Sequence, residues 1–206
     1  LAAKSHSREW KAFCASLPKG WQTSYVGLFP ARLGGLLRVN AHPAAVDALG
    51  LEETIAELGL ATSDGTLELC DELLRAGGMG FDLQLDVDSH GVPQPGFGLE
   101  VYLEGNLMSE SPQKEVAAQR VFGLLEGCGA ADGRWRYLEG VDVSKQVMLP
   151  LNGSLVGGAV STRPFSAKVK IADGRPQLGK TYLRGDGLVV NRARSPAAEA
   201  ASETAA

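Results

Sequence analysis

Residues Phe81 to Asp88 read Phe-Asp-Leu-Gln-Leu-Asp-Val-Asp, a strict alternation of apolar and polar side chains. Alternation with period two is the signature of a half-buried β-strand, because successive side chains leave a strand on opposite sides. The segment predicts a strand with Leu83, Leu85 and Val87 facing a core. Phe97 to Glu104 repeats the pattern, with Phe97, Leu99, Val101 and Leu103 on one face and Glu100, Tyr102 and Glu104 on the other. The connection from Ser89 to Gly96 holds two prolines and two glycines. The two segments therefore predict an antiparallel hairpin. Its polar side predicts a solvated outer face carrying Asp82, Asp86, Glu100 and Glu104.

The segments around this hairpin predict helices and two further hairpins. Ser7 can cap a helix to about Leu17, with Trp10, Phe13, Cys14 and Leu17 on one face. Strands are expected near Gln22–Phe29 and Gly35–Ala41, followed by a helical region from Pro43 in which Leu51, Ile55 and Leu58 form a small stripe. Asp64 or Thr66 caps a helix to about Arg75 with Leu67, Cys70, Leu73 and Leu74 inward, and Gly77-Gly78 stops it. Ser111-Pro112 opens another helix, with Val116, Ala117, Val121, Leu124 and Leu125 as its buried stripe. A last strand pair is expected at Phe165–Ile171 and Leu178–Leu183, joined across Asp173-Gly174-Arg175-Pro176. The order helix, strand, strand, helix thus occurs about Ser7–Leu58 and again about Thr66–Glu126. This pattern predicts an α+β fold: an antiparallel sheet of about six strands in three hairpins, helices on one face, curled as a half-barrel of repeated αββα units. Residues 1–193 are expected to form a single domain, and 194–206 a disordered or frayed tail.

Composition narrows the function classes. The formal charge is −4, which argues against broad nucleic-acid binding, since that needs a basic surface to neutralise phosphates. No stretch approaches the roughly 18–20 apolar residues of a membrane-spanning helix. The three cysteines, Cys14, Cys70 and Cys128, lie far apart and have no zinc-ligand spacing; Cys14 and Cys70 sit in apolar helical patterns and are expected as buried thiols. The chain is expected to be soluble and in a reducing compartment, cytoplasm or plastid. It begins at Leu1, and a removed transit peptide would leave such a start.

Several motifs fail on context. Gly174 to Thr181 matches G-x-x-x-x-G-K-T, but Tyr-Leu-Arg-Gly-Asp-Gly follows and cannot make the helix that a phosphate-binding loop needs. Asp86 to Gly91 opens like a calcium loop, but Phe97 stands where the bidentate Glu belongs. Asp88, Ser89 and His90 fit turn chemistry instead. His6 and His42 are isolated, and no nucleophile elbow is present. No metal site or cofactor motif is read.

The remaining signal is spread over the polar strand faces: Arg38, Asn40, Tyr102, Lys168, Lys170, Lys180 and Tyr182. On a curled sheet these would converge, the cations meeting an anion and the tyrosines supplying hydrogen bonds and aromatic walls. Lys168, Lys170, Lys180, Tyr182, Arg38 and Tyr102 are the candidate ligand- or partner-binding residues, and catalytic residues are not assigned.

Two resemblances follow from these residues. The αββα units with Lys180-Thr181-Tyr182 resemble the ABBA-type aromatic prenyltransferases. That resemblance implies a barrel whose Lys, Arg and Tyr hold an allylic diphosphate, with Lys168 and Lys170 as cations; Glu100-Val101-Tyr102 is a variant of opposite charge. Gly98-Leu99-Glu100, Ala167-Lys168-Val169-Lys170, Gly174-Arg175-Pro176 and Lys180-Thr181-Tyr182-Leu183 are similar to a poorly characterised bacterial, particularly cyanobacterial, family. This second resemblance covers roughly half of the chain and implies no activity; with the missing Met it fits a plastid subunit in a larger complex. The first expectation is a non-catalytic binding or scaffold protein with a protein partner in a larger assembly. The alternative is a transferase of the prenyltransferase type, with a small anionic ligand on the polar sheet face. Closure of the sheet separates the two.

Overall fold

The computed structural model describes residues 7–28, 36–44, 50–77, 80–103, 112–138, 143–151 and 154–189. Its elements are α1 (Ser7–Ala15), β1 (Trp21–Leu28), β2 (Leu37–Pro43), α2 (Leu51–Glu57), α3 (Asp64–Gly77), β3 (Phe81–Val87), β4 (Pro93–Tyr102), α4 (Pro112–Gly127), a 3-10 helix (Gly133–Leu138), β5 (Val143–Leu151), β6 (Ser154–Ala172) and β7 (Arg175–Val189). Glu104 and residues 194–206 lie outside the described residues, so their expected roles are left aside. The contacts gather into two units, residues 1–135 with 165–182, and residues 136–164 with 183–206.

In the first unit the strands pair antiparallel in the order β1-β2-β3-β4-β6, with β7 on β6. These are the six strands and three hairpins that the alternation predicts. The sheet is not closed: among the described residues β1 pairs only with β2 and β7 only with β6. The apolar face is buried along every inner strand. Leu37, Val39 and Ala41, Leu83, Leu85 and Val87, Phe97, Leu99 and Val101, and Ala167, Val169 and Ile171 form this layer, none more than 3% exposed. Registers Val39↔Leu85, Leu83↔Leu99 and Leu99↔Val169 stack these residues row by row. A slip of one residue would turn the layer to the opposite side, so burial fixes the register.

Helices α3 and α4 pack on each other, and α3 packs on β4. A Cβ on Gly77 would stand 3.3 Å from Val101 Cβ, which shows how closely α3 approaches the sheet. The Ser63 carbonyl accepts the Thr66 and Leu67 amides at the start of α3, so Ser63 fills the capping position expected of Asp64 or Thr66. Leu69, Cys70 and Leu73 are the buried face of α3, and Leu67 is only half-buried. In α4 the buried residues are Val121, Phe122 and Leu125, while Val116 is exposed. The stripe is displaced because Phe122 packs on Trp135, ring centroids 5.7 Å apart, and Trp135 Nε1 donates to Glu126 at 2.7 Å. Cys14, expected buried, is half-buried; Cys70 is buried, and burial followed by nearby Asp71 pushes its thiol up to about 12.

Asp173 and Gly174 both adopt positive φ, 52° and 71°, and join β6 to β7 as a tighter turn than the expected four residues. Asp-Gly is the sequence that such backbone favours. Thr66 Oγ1 donates to the Gly174 carbonyl at 2.7 Å, tying the turn to the start of α3. Lys180 lies on β7, and among the described residues no helix follows it, as the failed phosphate-loop context requires. Asp88 accepts the His90 and Val92 amides at 2.8 and 3.0 Å, which is the turn chemistry expected there.

The second unit contains β5, which pairs antiparallel with β6 from Val143↔Thr162 to Leu151↔Ser154. The alternation does not forecast this pair. Its glycines, Gly153, Gly157 and Gly158, break the pattern, and β6 and β7 are much longer than expected. Among the described residues no helix is long and apolar enough to cross a membrane.

Candidate functional site

The opposite face of the first unit's sheet carries polar side chains, and it is not the wet surface expected from alternation. Asn40, Asp82, Gln84, Glu100, Ser166 and Lys168 are all buried. Register explains how they meet. Asp82, Glu100 and Lys168 form one row across β3, β4 and β6, and Asn40, Gln84, Gly98 and Lys170 form the next across β2, β3, β4 and β6.

A buried polar group has to be hydrogen-bonded or it carries a large desolvation penalty. The network largely meets that demand. Glu100 accepts Gln84 Nε2 on Oε2 and Ser166 Oγ on Oε1, each at 2.6 Å. Lys168 Nζ donates to Gln84 Oε1. Asp82 accepts Ser24 Oγ at 3.0 Å and the Tyr102 hydroxyl, and His42 Nδ1 stands 3.8 Å from its other oxygen. Arg38 gives Asp86 a two-pronged bond, Nε to Oδ1 and Nη2 to Oδ2, both 2.8 Å. Asp82, Asp86 and Glu100, expected in a solvated set, are thus built into the sheet's hydrogen-bond network.

Beside this network lies a cleft of about 400 Å³. Four cations line it: Arg38 from β2, Lys168 and Lys170 from β6, and Lys180 from β7. Asp86 and Asp173 are its lining carboxylates. Gly179, the neighbour of Lys180, packs where the chain leaves α4, its amide donating to the Ala130 carbonyl at 2.6 Å. A Cβ on Gly179 would meet Ala130 O at 3.2 Å and Leu125 Cδ1 at 3.4 Å.

Gly98 makes room for Lys168. A Cβ there would stand 2.6 Å from Lys168 Cε and 3.2 Å from Nζ. Glycine inside a strand commonly marks such an approach. Burial pushes the Lys168 amine down to about 8, with Arg38 and then Lys180 adding to the effect, while Glu100 and Asp86 oppose it. An ammonium here is under-compensated, and an added negative charge would relieve it.

Of the six candidate residues, Arg38, Lys168, Lys170 and Lys180 come together in the cleft. Tyr102 and Tyr182 do not line it. Tyr102 is bound to Asp82, and burial, then Asp82, raises its hydroxyl's pKa. Tyr182 is exposed and close enough to Tyr25 to help raise the Tyr25 pKa, after burial, Glu100 and Asp82. Sequence reasoning missed Gln84, Gly98 and Ser166. Gln84 sits at a polar position of the alternating run, and Gly98 is a strand-interior glycine; both signals are present in the sequence.

Asn40 is fully buried, and neither its amide nitrogen nor its amide oxygen has a hydrogen-bond partner among the described residues. It is cross-strand from Gln84 on one side and Tyr25 on the other. Among the described residues no group of three or more His, Cys, Asp and Glu could hold a metal ion. Comparison with protein-family models, with curated proteins and with solved structures finds no match.

Proposed function

We propose that the chain is a non-catalytic binding protein that docks into a larger assembly by taking an anionic group of its partner into the Arg38–Lys168–Lys170–Lys180 cleft. The observation that carries this reading is the charge of the lining, four cations against two carboxylates. Like charges held this close repel, and a binding site for an anion is the arrangement in which that repulsion becomes attraction. The open sheet supports docking over a sealed reaction chamber.

The test is a double charge reversal, Lys168→Glu with Lys180→Glu, in the full chain. Calorimetric titration with inorganic phosphate, glutarate and a hexaglutamate peptide reads binding, and urea unfolding reads stability. The unaltered chain binds at least one probe, and the folded double variant loses it by tenfold or more. Equal binding by both proteins, or none by the unaltered one, overturns the reading.

A further inference from the structure

We propose that the anionic group taken by the cleft is a phosphoryl dianion rather than a carboxylate. The proposal rests on the docking reading above and names the ligand chemistry of the same site.

Three observations select phosphoryl. The first is charge. The lining has an excess of two positive charges, and a phosphate monoester carries about −1.5 to −2 near neutral pH, where a carboxylate carries one charge. The second is donor geometry. A planar carboxylate is best recognised by a guanidinium fork, and the one guanidinium that lines the cleft among the described residues, Arg38, already presents its fork to both oxygens of Asp86. The charged donors left are ammonium groups, compact point charges with three rotatable N–H bonds each. Lys168 and Lys170 come from β6 and Lys180 from β7, so they do not share a plane fixed by one side chain. Such donors suit the several oxygens of a tetrahedral group.

The third observation is that Lys168 is held where an extra negative charge is most useful. It lies over Gly98, is buried, and is flanked by Arg38 and Lys180. A dianion beside it restores the ammonium form, so binding near pH 8 takes up a proton. The apolar part of the lining, Leu36, Pro95 and Leu178, leaves space for what carries the phosphoryl group, a phosphorylated side chain of the partner.

The experiment is calorimetric titration of the full chain at pH 8 in two buffers of different ionisation heat. The probes are phenyl phosphate, an otherwise uncharged phosphoserine heptapeptide and glutarate, a dicarboxylate of equal charge. The expected result is binding of a phosphoryl probe at least tenfold tighter than of glutarate, with a heat that reports proton uptake. Lys180→Met, an exposed position that leaves the core untouched, weakens it by about tenfold or more. The ratio of phenyl phosphate to phosphopeptide affinity tells a free ester from a phosphorylated polypeptide: tighter phosphopeptide binding supports both readings, and a preference for phenyl phosphate keeps the phosphoryl assignment and overturns docking. Glutarate binding as tightly as both phosphoryl probes overturns the phosphoryl assignment and leaves the docking reading standing. If no anion binds, both fall.

Discussion

Gly98 lies under the aliphatic end of Lys168, and a methyl group at position 98 would stand 2.6 Å from Lys168 Cε. Real carbon atoms do not approach so closely, so any side chain at 98 forces Lys168 to move. The obstruction is the end of a flexible side chain, and the backbone of Gly98 does not require positive φ. Gly98→Ala is therefore expected to fold, with a stability change of about 1 kcal/mol or less. The displaced amine loses its place beside Gln84, and affinity for a phosphoryl probe is expected to fall severalfold. Equal affinity with an unchanged fold would show that the position of Lys168 is immaterial to the cleft.

Lys168 also makes stability depend on pH, in the alkaline range. Its amine is lowered from 10.5 to about 8 in the fold. Between those values the unfolded chain binds more protons than the folded one, so stability rises with pH. Below about 8 both states are protonated and the destabilisation by the buried ammonium is fully present; above 10.5 it is gone. The contribution is on the order of 1–3 kcal/mol across that window. Urea unfolding at pH 7.5 and 9.5 should show the native chain gaining stability relative to Lys168→Met. A flat difference between the two proteins would remove the burial account of this residue.

The apolar layer is the part of the fold that the sequence states most plainly, and Leu85 is its centre. Leu85 is fully buried, paired with Val39 on one side and Phe97 on the other. Leu85→Ala is expected to destabilise by about 2–5 kcal/mol, read from the shift in the urea midpoint at constant slope. A change below 1 kcal/mol would mean that the layer collapses around the gap and does not pack as described.

The contrast between Leu85 and its neighbour Gln84 explains what was legible beforehand. Alternation assigns each residue a side, and it placed Leu83, Leu85, Leu99 and Val101 correctly. It cannot say whether the polar side is wet, because that depends on how the polar side chains of different strands meet. Asp82 and Glu100 look like solvent-facing acids until Ser24, Tyr102, Gln84 and Ser166 are brought onto them from other strands. The cations of the cleft were legible as residues, since Lys168 and Lys170 share a side by period two. Arg38 was expected to join them on a curled sheet; what the sequence did not show is the strand order that carries β2 to β6 through β3 and β4. The pair β5–β6 was invisible for a different reason: its glycines and prolines erase the periodicity that marks a strand.

Asn40 supplies a prediction of opposite sign to Leu85. Its amide is buried with donor and acceptor both unpartnered among the described residues. Removing such a group by an apolar residue of the same shape relieves its desolvation. Asn40→Leu is isosteric and is expected to leave stability unchanged or raise it by about 1 kcal/mol. Thermal and urea unfolding decide this. A loss of more than 1 kcal/mol would show that the amide has partners, such as buried water, that hold the polar face together.

Asp86 is the residue whose removal should improve the cleft. It takes both prongs of the Arg38 guanidinium, and it is one of two carboxylates in a lining with four cations. Asp86→Asn keeps the shape of the side chain and removes its charge, so the excess of positive charge grows by one. The amide oxygen still accepts one guanidinium bond, and the other prong becomes available to a ligand. Pairs this exposed contribute modestly, so stability is expected to fall by about 1–2 kcal/mol. Affinity for phenyl phosphate is expected to rise about three- to tenfold, an effect of ~1 kcal/mol for one charge acting through a partly solvated cleft. Raising the salt concentration should erase most of that gain, because the effect is electrostatic. The loss of Asp86 also removes one of the charges that favour the protonated form of Lys168, so proton uptake on binding at pH 8 should increase. If affinity instead falls while the variant stays folded, Arg38 is useful only in the place where Asp86 holds it, and the cleft is a structural ion-pair site, not an anion receptor.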